Sequence, residues 1–444
     1  MEITKHPVRH LGFLAILMIL FAFRFLFGLY CPSVTADEDY TQTYNIGLKC
    51  FTTQTWPYYG PDVVAPETQF KTQMPGALEG LLGALPLWIW PAPESPYLFL
   101  NVLSFLGLCL LAWYCSKRLP RLSPWFVFIW ILLAPWTTHF STQVINPSYA
   151  FLGSVLFFIG FFETIPRLRI VAISRRLANL MMGFGLAWVM QLHMAWLAFV
   201  PFLLFSLYSQ TKENQWKYAF GFTFLGALPL LLLILPTYVV YGFSTGKDVH
   251  GFATGLNLNN AMDILGTLAR FLSIASFEMP RFIGQHFHDR VQYLLESPWL
   301  ALPGFLLWAV GLAQPVGMFI IWFVSINPLR NWTPVKWLAL GTFLLIYGCF
   351  LFSPDMAASF RIVLFFPVIM LYSLYCYDYL AIKPIWRKVG IVFILCVVFF
   401  QVGYTVKNIQ ANNSVYARQR TLMAQAIDQK DYRLLAPRRF DSLY

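Results

Sequence analysis

The chain has 444 residues, 58% of them hydrophobic and only 11% charged, with a formal net charge of +11. Soluble domains run to roughly 45–50% apolar and about 25% charged residues, so a water-soluble globule is excluded. The Lys and Arg residues stand in short runs between apolar stretches, where positive charge sets membrane orientation, so the basic balance reports topology and implies no nucleic-acid partner.

Lys5 and Arg9 precede the first apolar run, Leu11 to Tyr30, and Val34-Thr35-Ala36 has the small residues of a signal-peptidase site. The run is of span length, beyond the roughly 7–15 residues of a signal h-region, and reads as an uncleaved anchor. Further spans are expected at Pro96 to Cys115, Pro124 to Phe140, Pro147 to Glu163, Tyr218 to Tyr241, Trp299 to Ile326, Lys336 to Phe352, Arg361 to Tyr379 and Val389 to Thr405. Between them, Pro75 to Trp90 is short for a span and Leu177 to Tyr208 is too long for one.

The basic loops at Lys117, Arg118 and Arg121, at Arg167, Arg169, Arg175 and Arg176, and at Lys212 and Lys217 should all be cytoplasmic. That requires Pro75 to Trp90 to dip into the outer leaflet without crossing, and Leu177 to Tyr208 to form a hairpin of two short helices turning near His193. The fold class expected is therefore all-α, a polytopic integral membrane protein with about 11 transmembrane helices and a cytoplasmic N-terminus. One membrane domain covers residues 1–405, with outer loops over 31–95 and 242–298; a short tail, 406–444, also lies outside. Leu256 to Phe277 has a helical spacing of apolar and polar residues, either lying along the membrane surface or forming an ordinary loop helix. Cys31 and Cys50 share a polar loop, where an oxidising compartment would allow a disulfide.

Directly after the first span comes Ala36-Asp37-Glu38-Asp39-Tyr40, opening a short amphipathic helix. Crowded carboxylates at a membrane surface raise one another's pKa, which suits a general base for an incoming hydroxyl; equally, acidic residues are favoured at a helix N-terminus. Trp56-Pro57-Tyr58-Tyr59-Gly60-Pro61 is an aromatic turn that offers either a stacking platform for sugar faces or interfacial anchoring. Phe70-Lys71-Thr72-Gln73-Met74-Pro75-Gly76 then leads into the dipping segment. Arg24, inside the first span, is costly in hydrocarbon and should face the bundle interior, with Glu79 as the partner expected from sequence.

The order of first span, Asp-Glu, surface helix, Trp-Pro-x-x-Gly turn, Lys followed by Pro-Gly, dipping helix and second span resembles the GT-C membrane glycosyltransferases. Within them it is similar to the bacterial family 39 type, which includes protein O-mannosyltransferase-like enzymes and the aminoarabinose transferases that modify lipid A. Met190-Gln191-Leu192-His193, Gly226-Ala227-Leu228-Pro229 and Phe360-Arg361 ahead of Phe366-Pro367 sit where that family tends to have similar patterns. Where members often carry a Pro-Pro pair, this chain has Thr72-Gln73-Met74-Pro75.

The resemblance implies glycosyl transfer, with inversion, from a polyprenyl-phosphate sugar to a lipid, glycan or protein acceptor at the periplasmic face of a bacterial inner membrane. It maps the catalytic base to Asp37 with Glu38 beside it, leaving Asp39 without a role. Lys71, Arg361, Arg270 and Arg281 are the candidates for the donor phosphate, with Arg290 a further cation of the same loop; Arg361, opening an apolar span after Pro354-Asp355, is the best placed of them, with snorkelling to lipid headgroups as its alternative. Tyr40, Trp56, Tyr58, Tyr59, Gln73 and His193 are the candidate substrate contacts. No metal ligands are assigned: some GT-C relatives use a divalent ion, but the two histidines of His286-Phe287-His288-Asp289 diverge on a helix or strand. Two other classes fit a polytopic chain of this kind, a transporter or lipid flippase and an O-antigen polymerase or ligase.

Overall fold

The computed structural model describes residues 7–31, 37–63, 72–242, 256–273, 283–284, 286–324, 332–353 and 359–435. Helix α1, Pro7–Tyr30, is followed by the surface helix α2, Asp37–Thr53. A two-stranded antiparallel hairpin comes next, β1 (Tyr59–Val63) and β2 (Thr72–Pro75), with Tyr59 opposite Pro75 and Asp62 opposite Gln73. Helix α3, Leu78–Ile89, has 12 residues. At about 1.5 Å per residue it is about 18 Å long, well short of the roughly 30 Å hydrocarbon core, as expected of a segment that dips without crossing.

Helix α4, Ser95–Arg118, returns to the opposite end of the molecule. The stretch read from sequence as one span from Pro124 is instead broken into α5 (Pro124–Leu133) and α6 (Pro135–Thr142). Pro135 is the cause: it lacks an N–H and pushes the preceding residue out of the helical region, and Ala134 has φ −51° and ψ 132°. The break exposes the carbonyl of Leu132, and Arg24 of α1 fills the gap. Its guanidinium, fully buried, donates to Leu132 O at 2.7 Å and to Ser141 Oγ at 2.6 Å. The expected Arg24–Glu79 pair is thus replaced by a bond to backbone that a proline has freed.

Helix α7, Asn146–Thr164, is the most enclosed span. The long stretch from Leu177 is a hairpin of α8, Arg175–Met190, and a helical run of a 3₁₀ turn (Met194–Phe199) and α9 (Val200–Thr211), with its bend at Gln191 to His193. Helix α10, Trp216–Tyr241, lies against α8. The α7, α8 and α10 backbones approach closely at small residues: a Cβ on Gly183 would fall 1.9 Å from Thr223 O, and one on Gly226 2.1 Å from Leu180 O. Such small-residue seams are how helices associate where no water drives them together.

Two short helices, α11 (Leu258–Met262) and α12 (Ile264–Leu272), and a third, α13 (Phe287–Glu296), lead to the spans α14 (Pro298–Trp322) and α15 (Trp332–Leu351). A turn of helix, Ser359–Ile362, and a 3₁₀ turn run into α16, Phe366–Leu380; α17, Pro384–Ala411, and α18, Val415–Asp428, complete the described chain. Helix α17 continues through Thr405, so the division drawn at 405/406 falls inside a helix.

Among the described residues, nine helical stretches are long and apolar enough to cross a membrane. The two expected spans not among them are the one broken at Pro135 and the 16-residue α8. The chain is an integral membrane protein. The basic loop residues gather at the end opposite α2, where Arg118 donates to Leu168 O and Tyr114 Oη, and Arg121 pairs with Asp378.

Cys31 and Cys50 are both free thiols; that of Cys31 contacts Thr405 Oγ1 at 3.8 Å.

Candidate active site

Helix α2 lies across α3 because two glycines let the backbones touch: a Cβ on Gly47 would fall 2.5 Å from Gly83 Cα. The buried face of α2 carries Tyr40, Tyr44 and Leu48 at helical spacing. Asp37 and Glu38 open this helix, with Asp37 one turn ahead of Tyr40; their side chains lie outside the described residues, as do Lys71, Arg281 and Pro354-Asp355. Gln73 is described as backbone only, in β2 opposite Asp62.

The hairpin sits over the α8 bend. Tyr58 O accepts from Thr237 Oγ1 at 2.6 Å and from Gly76 N at 3.0 Å, and the rings of Tyr58 and Tyr59 both lie 5.3 Å from that of Tyr241. Gly76 adopts φ 132°, a conformation open to glycine, and any Cβ there would strike Gln191. Gly60 is equally constrained, its Cβ position lying 3.1 Å from Glu79 Oε2 and 3.3 Å from Gln191 O. Trp56 is 37% exposed on the loop leading into the hairpin.

His193 and Arg361, some 170 residues apart in sequence, come within electrostatic reach of one another. The His193 ring accepts from Ala195 N at 3.1 Å, capping the following 3₁₀ turn. Burial pushes its pKa down to about 4, with the Arg361 guanidinium acting in the same direction, so the ring is neutral at pH 7. Arg361 is half-buried in the turn that starts the last core helix, and α12, carrying Arg270, packs beside that turn. Arg270 already donates to Asp263 at 2.8 Å, while Arg290 Nε donates to Gly284 O at 3.0 Å. Of the candidate cations with described side chains, Arg361 is the one within electrostatic reach of His193.

Sequence reading missed three buried groups here. Glu79, in the first turn of α3, is 1% exposed and within electrostatic reach of the Tyr149 phenol on α7, and Gln191 shares Gly60 and Gly76 with it. A Tyr inside an apolar run carries no distinguishing signal. Gln191 stood in a motif noted for its family pattern, and Glu79 was noted only as the expected partner of Arg24.

His286 and Asp289 form a capping box at the start of α13, with His286 N donating to Asp289 Oδ2 at 3.0 Å. Among the described residues no three His, Cys, Asp or Glu side chains converge to hold a metal ion.

An apolar groove of about 900 Å³ runs between α14 and α17, lined by Trp299, Leu302, Leu306, Leu395, Phe399 and Val406 among others. Beside its lining residues Gly403 and Val406, Tyr404 packs on Phe27 and lies within electrostatic reach of Tyr40, and Lys407 sits 3.7 Å over the Tyr293 ring.

Two crystal structures of ArnT from Cupriavidus metallidurans share this architecture. The one bound to undecaprenyl phosphate matches with a TM-score of 0.52 at 10% identity, over 96% of this chain and 76% of that one. The apo state matches with a TM-score of 0.50 at 14% identity, over 96% and 77%. No family model matches the sequence, and no curated protein does. The fold is therefore the GT-C membrane fold of an aminoarabinose transferase, as the order of motifs implied.

Proposed function

We propose that the chain is a membrane glycosyltransferase that moves a sugar from a polyprenyl-phosphate donor to an acceptor hydroxyl at the extracytoplasmic face, with α2 and its hairpin forming the roof of the site. The observation that supports this reading is the apolar groove between α14 and α17, whose lining residue Gly403 adjoins Tyr404, itself within electrostatic reach of Tyr40 on the helix that Asp37 and Glu38 open. A long isoprenoid tail needs such a groove, and its phosphate then lies at the level of the site. ArnT, which has this fold, holds undecaprenyl phosphate.

In the step proposed, Asp37 takes the proton of the acceptor hydroxyl as its oxygen attacks the anomeric carbon from the face opposite the phosphate. The bond from that carbon to the phosphate oxygen breaks, the lipid phosphate leaves with the electron pair, and the configuration inverts. Arg361, with Lys71, stabilises the charge gathering on the phosphate. Neutral His193 adds no competing positive charge. The transporter reading leaned on intramembrane charge, but Arg24 is held by the Leu132 carbonyl and Ser141, a structural use.

The test is transfer from a radiolabelled undecaprenyl-phosphate sugar by purified chain. Asp37→Asn should slow it by about 10²–10⁴-fold, the usual worth of a general base. Unchanged transfer in that variant would remove Asp37 from the role, and lipid translocation with no bond cleaved would remove the enzyme reading.

A further inference from the structure

Buried polar atoms are hydrogen-bonded in the great majority of cases, so those that are not ask for a ligand. Among the described residues, Tyr149 Oη and Gln191 Oε1 are buried with no such partner, and so are both side-chain amide atoms of Gln143. All three lie in one region. Gln143 belongs to the turn that Asn146 ties to Leu192 O at 3.2 Å, next to Gln191. Trp188 Nε1, one turn before Gln191, donates to Tyr149 O at 2.8 Å. Glu79 completes the group, touching the Gly60 position and facing the Tyr149 phenol.

The surroundings hold these atoms rigidly. The other end of the Gln191 amide is fixed, Nε2 donating to Leu230 O at 2.9 Å, so Oε1 is presented to Gly76 and the hairpin. Tyr44 of α2 is within electrostatic reach of Tyr149, and His193, itself within reach of Arg361, follows Gln191 by two residues. The group combines a phenol, two carboxamides and a carboxyl group, an array of hydrogen-bond donors and acceptors. A polyol presents the complementary set of hydroxyls.

We propose that Glu79, Tyr149, Gln191 and Gln143 form the pocket that holds the hydroxyl groups of the donor's sugar, and so set which sugar is accepted. This rests on the glycosyltransferase reading above and adds to it the residues that read the sugar. The phosphate is held by cations elsewhere, so binding of the lipid phosphate and binding of the sugar are separable.

The experiment measures binding of undecaprenyl phosphate, and of undecaprenyl phosphate carrying glucose, mannose or arabinose, to the full chain in nanodiscs. The wild type should bind one sugar-bearing lipid at least tenfold more tightly than the bare lipid. Tyr149→Phe and Glu79→Gln should each cut that ratio about fivefold, the worth of one hydrogen bond. Bare-lipid binding should not change. The melting temperature of Tyr149→Phe should hold or rise, because the hydroxyl it removes is buried without a partner in the protein.

A ratio that survives both substitutions overturns the proposal, and so does a Tyr149→Phe chain that melts earlier with its ratio intact. A wild type that binds bare lipid but gains nothing from any of the sugars overturns the pocket while leaving the lipid-donor reading in place. A chain that binds neither loses both.

Discussion

One carboxylate, Glu94, takes two of the bonds that tie helix α18 across the end of the bundle, and weakening them tests the arrangement of the roof. Tyr416 Oη donates to Glu94 Oε1, and Arg420 Nε donates to the same oxygen at 2.9 Å. Burial alone would favour the neutral form of Glu94, but the bonds from Tyr416 and Arg420 outweigh it and hold the carboxyl below its ordinary range. A hydrogen bond to a charged group is worth about 1.5–3 kcal/mol; with the Glu94 side chain 17% exposed, the Tyr416 bond belongs at the lower end, about 1.5 kcal/mol. Tyr416→Phe deletes this bond and keeps the ring contacts with Tyr30 and Tyr97. Since about 1.4 kcal/mol is a factor of ten, the α18 amides should exchange hydrogen about tenfold faster.

The pH dependence follows from the same pair. A carboxyl whose folded pKa is depressed stabilises above its unfolded value and loses that contribution as pH falls through the folded one. Protection of α18 should therefore hold at neutral pH and decline below about 4.3, the unperturbed Glu value. Glu94→Gln should remove that acid dependence. Unchanged exchange in Tyr416→Phe, or an acid response that persists in Glu94→Gln, would refute the reasoning. The result bears on the site because Gln419 of α18 exchanges hydrogen bonds with Thr41 of α2.

Arg361→Ala should lower transfer and donor binding together, and Arg361→Lys should restore part of both, as expected of a phosphate contact; equal binding in Arg361→Ala would exclude that role. His193, with a pKa depressed to about 4, contributes stability above its unfolded value of about 6.5 that is lost as pH falls towards 4. Melting temperature against pH should therefore drop across that window in the wild type and less in His193→Asn. Gly47→Val should destabilise by about 1–3 kcal/mol through overpacking against Gly83, whereas Gly12→Ala, with open space around it, should be neutral or stabilising in a thermal melt.

Local pattern carried the apolar spans, the short α3 and the bend at His193, because length and charge placement decide them. It also placed Arg361 at the mouth of a core helix. The break at Pro135 was hidden by the apolar residues on either side, which read as one span although the proline has already ended the helix. Arg24 received the wrong partner for a related reason: its true acceptor is a backbone carbonyl, and every residue has one. Tyr149 looks like a packing residue in sequence and Gln191 like one member of a short motif, and what separates them from the core around them is their depth together with the unpartnered Tyr149 Oη and Gln191 Oε1. The C-terminal segment is tied to the bundle, since Ser414 Oγ donates to Leu29 O at 2.6 Å and α18 packs on α1 and α2.

Arg24 sets an order of events during synthesis. Its two acceptors lie 108 and 117 residues further along the chain. At about 5–20 residues per second, they leave the ribosome roughly 5 to 25 seconds after Arg24 does. For that interval α1 enters the bilayer with its guanidinium unmatched, at a cost of about 2.5–3.5 kcal/mol that its remaining apolar residues must cover. The first span is thus committed to the membrane before it is committed to a position in the bundle. Its final seating waits for a proline-broken helix made later, and an Arg24→Leu chain should integrate α1 more efficiently while assembling the finished bundle less well.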